Sequence, residues 1–181
     1  NFILIDDKFK NLKEKRISDE VFVFFGGGSD HSAIGKYKDY LNFLASKHSK
    51  INIAITSMYK NKDSILEKYK GNKSFRVLLD AKSFAKTLNN SMFAFISGGT
   101  ITYESAFLNI PMQIVAVAKN QIKQSEAWES NNNARYVGDI ESVDSLMLKN
   151  SYESFFTNLN LINKWFKYRK INVDGLGAER I

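Results

Sequence analysis

The chain has no cysteine, one proline and two histidines, and no apolar run approaching the ~18 residues that a membrane-spanning helix needs. Without cysteine there is no disulfide, no Cys-based zinc site and no thiol nucleophile. That composition fits a cytoplasmic protein, and no signal-peptide pattern opens the sequence. No cluster of histidines or carboxylates has ligand spacing, so no metal is called for, and no cofactor is implied. Basic residues outnumber acidic ones, 26 to 19, for a formal charge of +7. The lysines are spread along the chain and are not interleaved with exposed aromatics, so nucleic acid is not the expected partner. The first residue is Asn1, so the chain is expected to be a processed or excised piece of something longer.

What is present is the composition of an ordinary globular domain: 181 residues, 44% hydrophobic and 25% charged. From Val21 onward short apolar runs alternate with amphipathic stretches, the pattern of βαβ units and a parallel sheet. Val21–Phe25 is apolar throughout, as a strand buried on both faces requires. Ser32–His48 carries Ile34, Tyr37, Leu41 and Leu44 at helical spacing. Further strands are predicted at Ile51–Thr56, Phe75–Leu79, Met92–Ser97, Met112–Ala118 and Ala134–Val137. Helices are predicted at Lys62–Lys70, Lys82–Asn89, Ile101–Leu108 and Gln121–Ser130. Pro111 stands where a helix must stop before a strand begins. The expected fold class is α/β, a Rossmann-like parallel sheet with helices on both faces. Residues 1–20 read as an interdomain connection and 21–140 as the Rossmann-like domain. Residues 141–181 read as its helical tail, with segments at Val143–Lys149, Tyr152–Asn158 and Leu159–Tyr168. Trp165, Phe166 and Tyr168 read as core or interface packing.

Two glycine-rich turns join predicted strands to predicted helices: Gly26-Gly27-Gly28-Ser29 and Ser97-Gly98-Gly99-Thr100. Such turns lie at the C-terminal ends of parallel strands, where free backbone N–H groups and a helix dipole favour a phosphate. Glycines also serve simply to make tight strand-to-helix turns. In the usual Rossmann order the first and fourth strands adjoin, which aims both turns at one crevice. Neither turn is followed by a Walker Lys-Ser/Thr pair and neither is GxGxxG, which disfavours a P-loop NTPase and a dinucleotide dehydrogenase. Thr100 can cap its helix. Glu104, one turn in, can accept both hydroxyls of a ribose, or can simply be favoured by the helix dipole, worth about 0.3–1 kcal/mol.

These residues, taken in order, resemble a known group. Phe95–Glu104 (FISGGTITYE), Asn109-Ile110-Pro111 and Lys119-Asn120-Gln121 look like the donor-binding region of GT-B glycosyltransferases related to the peptidoglycan GlcNAc transferase. They are similar, more closely, to the UDP-2,4-diacetamido-2,4,6-trideoxy-altropyranose hydrolases of pseudaminic acid synthesis and their spore-coat polysaccharide relatives. The ending Asp174-Gly175-Leu176-Gly177-Ala178-Glu179-Arg180 resembles that group's Asp-Gly-x-Gly-Ala-x-Arg. The resemblance spans Val21 to Arg180 and implies the C-terminal, nucleotide-sugar-binding half of a two-domain enzyme. It implies that Glu104 holds the uridine ribose and that Gly98, Gly99 and Thr100 cradle the pyrophosphate. Gly26, Gly27, Gly28 and Ser29 would lie nearby, the uracil against the backbone at Asp80 and Ala81, and Asn120 and Gln121 on the sugar side. The first turn has one glycine more than the group's pattern, and His31 stands where proline is usual.

The group's water-activating histidine belongs to a glycine-rich loop of the N-terminal domain, and no segment of this chain matches it. Of the two histidines here, His48 reads as a structural residue at a helix end, and His31 as a phosphate contact or a helix start. The catalytic residue is thus unassigned, and the expected partners are a UDP-sugar and an N-terminal domain outside this chain. Three readings remain: a UDP-sugar hydrolase, a glycosyltransferase sharing its donor site, and a noncatalytic nucleotide-sugar-binding module. For the first two, this half alone is expected to bind nucleotide without turnover.

Overall fold

A computed structural model describes residues 5–12, 18–26, 33–156, 167 and 171–180. Six strands form one sheet: β1 (Glu20–Phe24), β2 (Lys50–Ile55), β3 (Phe75–Leu79), β4 (Phe93–Ser97), β5 (Met112–Ala116) and β6 (Arg135–Asp139). Every pairing is parallel and the order is β3-β2-β1-β4-β5-β6. The chain therefore starts in the middle of the sheet, winds outward to β3, and returns across β1 to build the other half. This is the doubly wound Rossmann arrangement, with its switch point between β1 and β4.

Alternation along β1 shows why the sheet needs two helical layers. Val21, Val23 and Phe25 enter one core with Tyr37, Leu41, Leu44, Phe95 and Tyr152. Phe22 points the other way, into a second core with Ala94, Ile96, Met112, Ile114 and Trp128. The helices are α1 (Asp7–Lys10), α2 (Ala33–Lys36), α3 (Lys38–Lys47), α4 (Lys62–Tyr69), α5 (Phe84–Asn90), α6 (Ile101–Phe107), α7 (Lys119–Ser130) and α8 (Ser145–Phe155).

Two helical segments differ from the sequence expectation. The helix expected over Ser32–His48 is broken at Tyr37, whose ψ of 22° lies outside the helical range while its ring is fully buried against Phe25 and Phe95. The segments expected at Val143–Lys149 and Tyr152–Asn158 run, as far as Phe155, as one helix, α8, whose start Asp144 caps by accepting the Met147 N–H at 2.8 Å. The segment at Leu159–Tyr168 lies outside the described residues, apart from Lys167.

Within the stretch expected as an interdomain connection, Asp6 accepts the Lys8 N–H at 2.9 Å and starts α1. Ile5 and Phe9 are buried in the second core, with the Phe9 ring edge-on to Phe84. The tail from 171 to 180 runs back along the same side: Asn133 exchanges hydrogen bonds with both the N–H and the carbonyl of Ile171, and Val173 is buried. Asp174 forms a two-point pair with Arg180, which holds its carboxyl down at about 2. No described helix is long and apolar enough to cross a membrane.

Candidate functional site

All six strands end at one edge of the sheet. In the β1–β4 pair Phe24 lies opposite Ile96, so Gly26 and Gly98, each two residues further on, leave the sheet side by side. Gly26 has φ +96°, a conformation that glycine adopts without strain. Gly27, Gly28, Ser29 and His31 lie outside the described residues.

The second turn has its own reason for glycine. A Cβ at Gly98 would sit 2.2 Å from Ser125 Oγ and 3.1 Å from Gln121 Cβ, so the turn is pressed against α7. At Gly99 a Cβ would meet nothing closer than 3.7 Å among the described residues. Thr100 does not cap α6 with its hydroxyl. Its backbone is already helical (φ −59°, ψ −28°), whereas a capping side chain acts from an extended residue. Thr102 bonds this turn instead: its Oγ1 donates to Gly99 O at 2.7 Å and accepts from Trp128 Nε1 at 2.9 Å and Gln124 Nε2 at 3.0 Å.

A cleft of about 420 Å³ opens where β1, β2 and β3 end. Asp80, Ala81, Thr100 and Glu104 meet in its lining, joined by Thr56 from the end of β2 and by Lys8 and Phe9 of α1. Asp80 has φ +40°, and its carboxylate accepts the Ser57 N–H with both oxygens at 3.1 Å, which pins the end of β3 to the turn after β2. Its side chain is thus engaged in the fold, and the Asp80–Ala81 segment forms a wall of the cleft.

Glu104 is different. Its Oε2 is buried and has no hydrogen-bond partner among the described residues. Burial pushes its pKa up, and Asp6 pushes the same way, against its own backbone hydrogen bond and the positive charge of Lys8. A carboxylate favoured only by a helix dipole would face water. Glu104 lines the cleft at the switch point of the sheet, and its buried oxygen still has acceptor capacity that no described group uses.

Asn120 and Gln121 fall in the first turn of α7, which starts two residues earlier than its sequence pattern indicates. Gln121 Oε1 accepts the Val117 N–H at 3.0 Å, and its Nε2 lies beside Gly99. Gln121 therefore links the β5–α7 turn to the glycine turn, while Asn120 is exposed. A second hollow, of about 570 Å³, lies at the ends of β5 and β6 among Ala116, Lys119, Ile122, Asp139 and Ile140.

His48 lies at the opposite edge of the sheet. It is buried at the end of α3, with Nδ1 2.6 Å from Asp19 and Nε2 2.8 Å from the Tyr152 hydroxyl. It ties α3, α8 and the start of β1 together and is no part of the cleft. Among the described residues no group of histidines and carboxylates could hold a metal ion.

The residues absent from the sequence reading are Lys8, Phe9, Thr56 and the Thr102–Gln124–Trp128 set. Gln121, Gln124, Ser125 and Trp128 follow one another at spacings of three, one and three. That is the signature of one helix face, and it could have marked the side of α7 turned to the glycine turn.

No family model matches this chain, and no curated protein does. Solved structures do. The putative UDP-N-acetylglucosamine 2-epimerase from Listeria monocytogenes superposes with a TM-score of 0.65 at 10% identity, over 90% of this chain and 43% of its own. MurG of Acinetobacter baumannii gives 0.63 at 14% identity, over 96% and 50%. UGT71G1 of Medicago truncatula, complexed with UDP-glucose, gives 0.60 at 12%, over 99% and 44%. The chain spans half or less of the length of each. The fold is the Rossmann-like domain of GT-B proteins.

Proposed function

We propose that this chain is the donor-binding half of a GT-B enzyme that acts on a UDP-sugar. The observation that carries the reading is Glu104: a carboxylate in the lining of a cleft at the switch point of the sheet, with one buried oxygen that has no partner among the described residues. A ribose diol offers two adjacent O–H donors to one carboxylate, as in other Rossmann sites. With the ribose on Glu104, the uracil lies toward Asp80 and Ala81 and the pyrophosphate runs toward Thr100, Gly99 and the Gly26 turn. The sugar then extends along the edge toward Asn120, Gln121 and the hollow beyond β5. The UDP-glucose complex of the Medicago protein, which shares the fold, supports a ligand of this class.

In either a transferase or a hydrolase this half would do the same two things. It would hold UDP, and it would stabilise the charge on the departing diphosphate with backbone N–H groups. The motif order and the Asp174–Arg180 ending favour hydrolysis of an amino-sugar nucleotide in nonulosonic acid or surface polysaccharide synthesis. The fold neighbours, an epimerase and glycosyltransferases among them, favour the broader donor-binding reading. The purified 181-residue chain is expected to bind UDP and to release none from a UDP-sugar. Isothermal titration and a UDP-release assay check both halves of that statement, and efficient hydrolysis by this chain alone would overturn it.

A further inference from the structure

The cleft poses a charge problem. A nucleoside diphosphate brings two or three negative charges to a place already occupied by Glu104 and Asp80. Among the described residues, Lys8 is the only cationic side chain in its lining. Lys8 belongs to α1, inside the stretch that the sequence reads as a connection, yet contacts on either side of it fix its place. Asp6 starts the helix by accepting the Lys8 N–H. Phe9, the next residue, is buried against Phe84 in the wall of the cleft.

Its ammonium sits 3.1 Å from the Asp6 carboxylate. Both side chains are about half exposed, at 55%. A pair this exposed is weak and readily exchanged for a stronger partner. A phosphate offers more charge and several acceptor oxygens, so the ammonium can swing from Asp6 to the ligand without stranding a buried charge.

We infer that Lys8 is a ligand-contacting residue of the nucleotide cleft, which trades its Asp6 partner for the diphosphate and so makes α1 part of the binding site. This rests on the UDP reading of the cleft. Asp6 is then a built-in competitor that tempers affinity, and the cleft selects nucleotides with charged phosphates over bare nucleosides.

Titrations of UDP and of uridine into wild type, Lys8→Met, Lys8→Arg and Asp6→Asn test it. Lys8→Met should weaken UDP roughly three- to tenfold, flatten the salt dependence of UDP binding, and leave uridine affinity unchanged. Lys8→Arg should restore most of the UDP affinity, and Asp6→Asn should raise it by roughly two- to threefold. Equal UDP affinity for wild type and Lys8→Met would overturn the assignment of Lys8 while leaving the UDP site standing. So would a loss shared equally by UDP and uridine, because it would place Lys8 on the nucleoside. No UDP binding by wild type would overturn the site itself.

Discussion

Gly98 and Ser125 stand so close that a single methyl group at residue 98 would lie 2.2 Å from the serine hydroxyl. The glycine turn at the edge of the sheet is set in place from behind, by α7. Ser125 is fully buried and donates to Gln121 O at 2.8 Å, so its hydroxyl cannot move aside without breaking that bond. Gly98→Ala should therefore destabilise the domain by about 1–3 kcal/mol, the usual cost of overpacking. Ser125→Ala on the same background should recover a large part of the loss, leaving the 3.1 Å approach to Gln121 Cβ as the remainder. Chemical denaturation of the four members of this cycle measures the coupling. Additive effects would show that the two residues do not touch.

Thr102 is the second support of the turn. Its hydroxyl partners Gly99, Gln124 and the indole of Trp128, which is 2% exposed. Thr102→Val keeps the shape and removes the partner of a buried indole N–H. It should cost about 1–3 kcal/mol, whereas Thr102→Ser should cost clearly less. Denaturation midpoints separate the two. Equal midpoints for the two variants would mean that the hydroxyl is not the joint between α6 and α7.

Burial raises the Glu104 pKa in the folded protein, and the sign of its effect on stability follows. The proton is held more tightly in the folded state than in the unfolded one. The stabilisation this gives is complete below the unfolded carboxylate pKa and is lost as pH rises through the folded value. Glu104→Gln should thus melt higher than wild type above the folded carboxyl pKa, with the gap closing as the pH is lowered toward the unfolded carboxylate pKa. Melting curves of both proteins from neutrality down to the ordinary carboxylate range check it. A constant gap would mean that the folded and unfolded pKa values of Glu104 coincide.

The fold was legible because each strand is a compact apolar run bounded by turn residues. Phe75–Leu79 has the bounds expected of it, and β4 and β5 start or stop within two residues of theirs. Local pattern is silent where tertiary contacts decide. Ile5 and Phe9 have helical spacing but sit in a charged context, so their packing into the second core shows only in the structure. Glu104 could be picked out from its place one turn into a helix after Gly98-Gly99-Thr100. Its buried oxygen could not, since burial there depends on what the chain folds around it. The resemblance implies that Gly98 and Gly99 cradle a phosphate; what the sequence does not show is that α7 fills the place of a side chain at Gly98, with Gly99 the roomier of the two.

The central claim is that Glu104 holds the ribose of UDP, and calorimetric titration of UDP into wild type and Glu104→Gln tests it most directly. Hydrogen bonds to a charged acceptor contribute about 1.5–3 kcal/mol, so the variant should bind UDP roughly tenfold or more weakly while remaining at least as stable. Equal affinities for the two proteins would contradict the claim and remove the strongest side-chain support for a nucleotide site in this cleft.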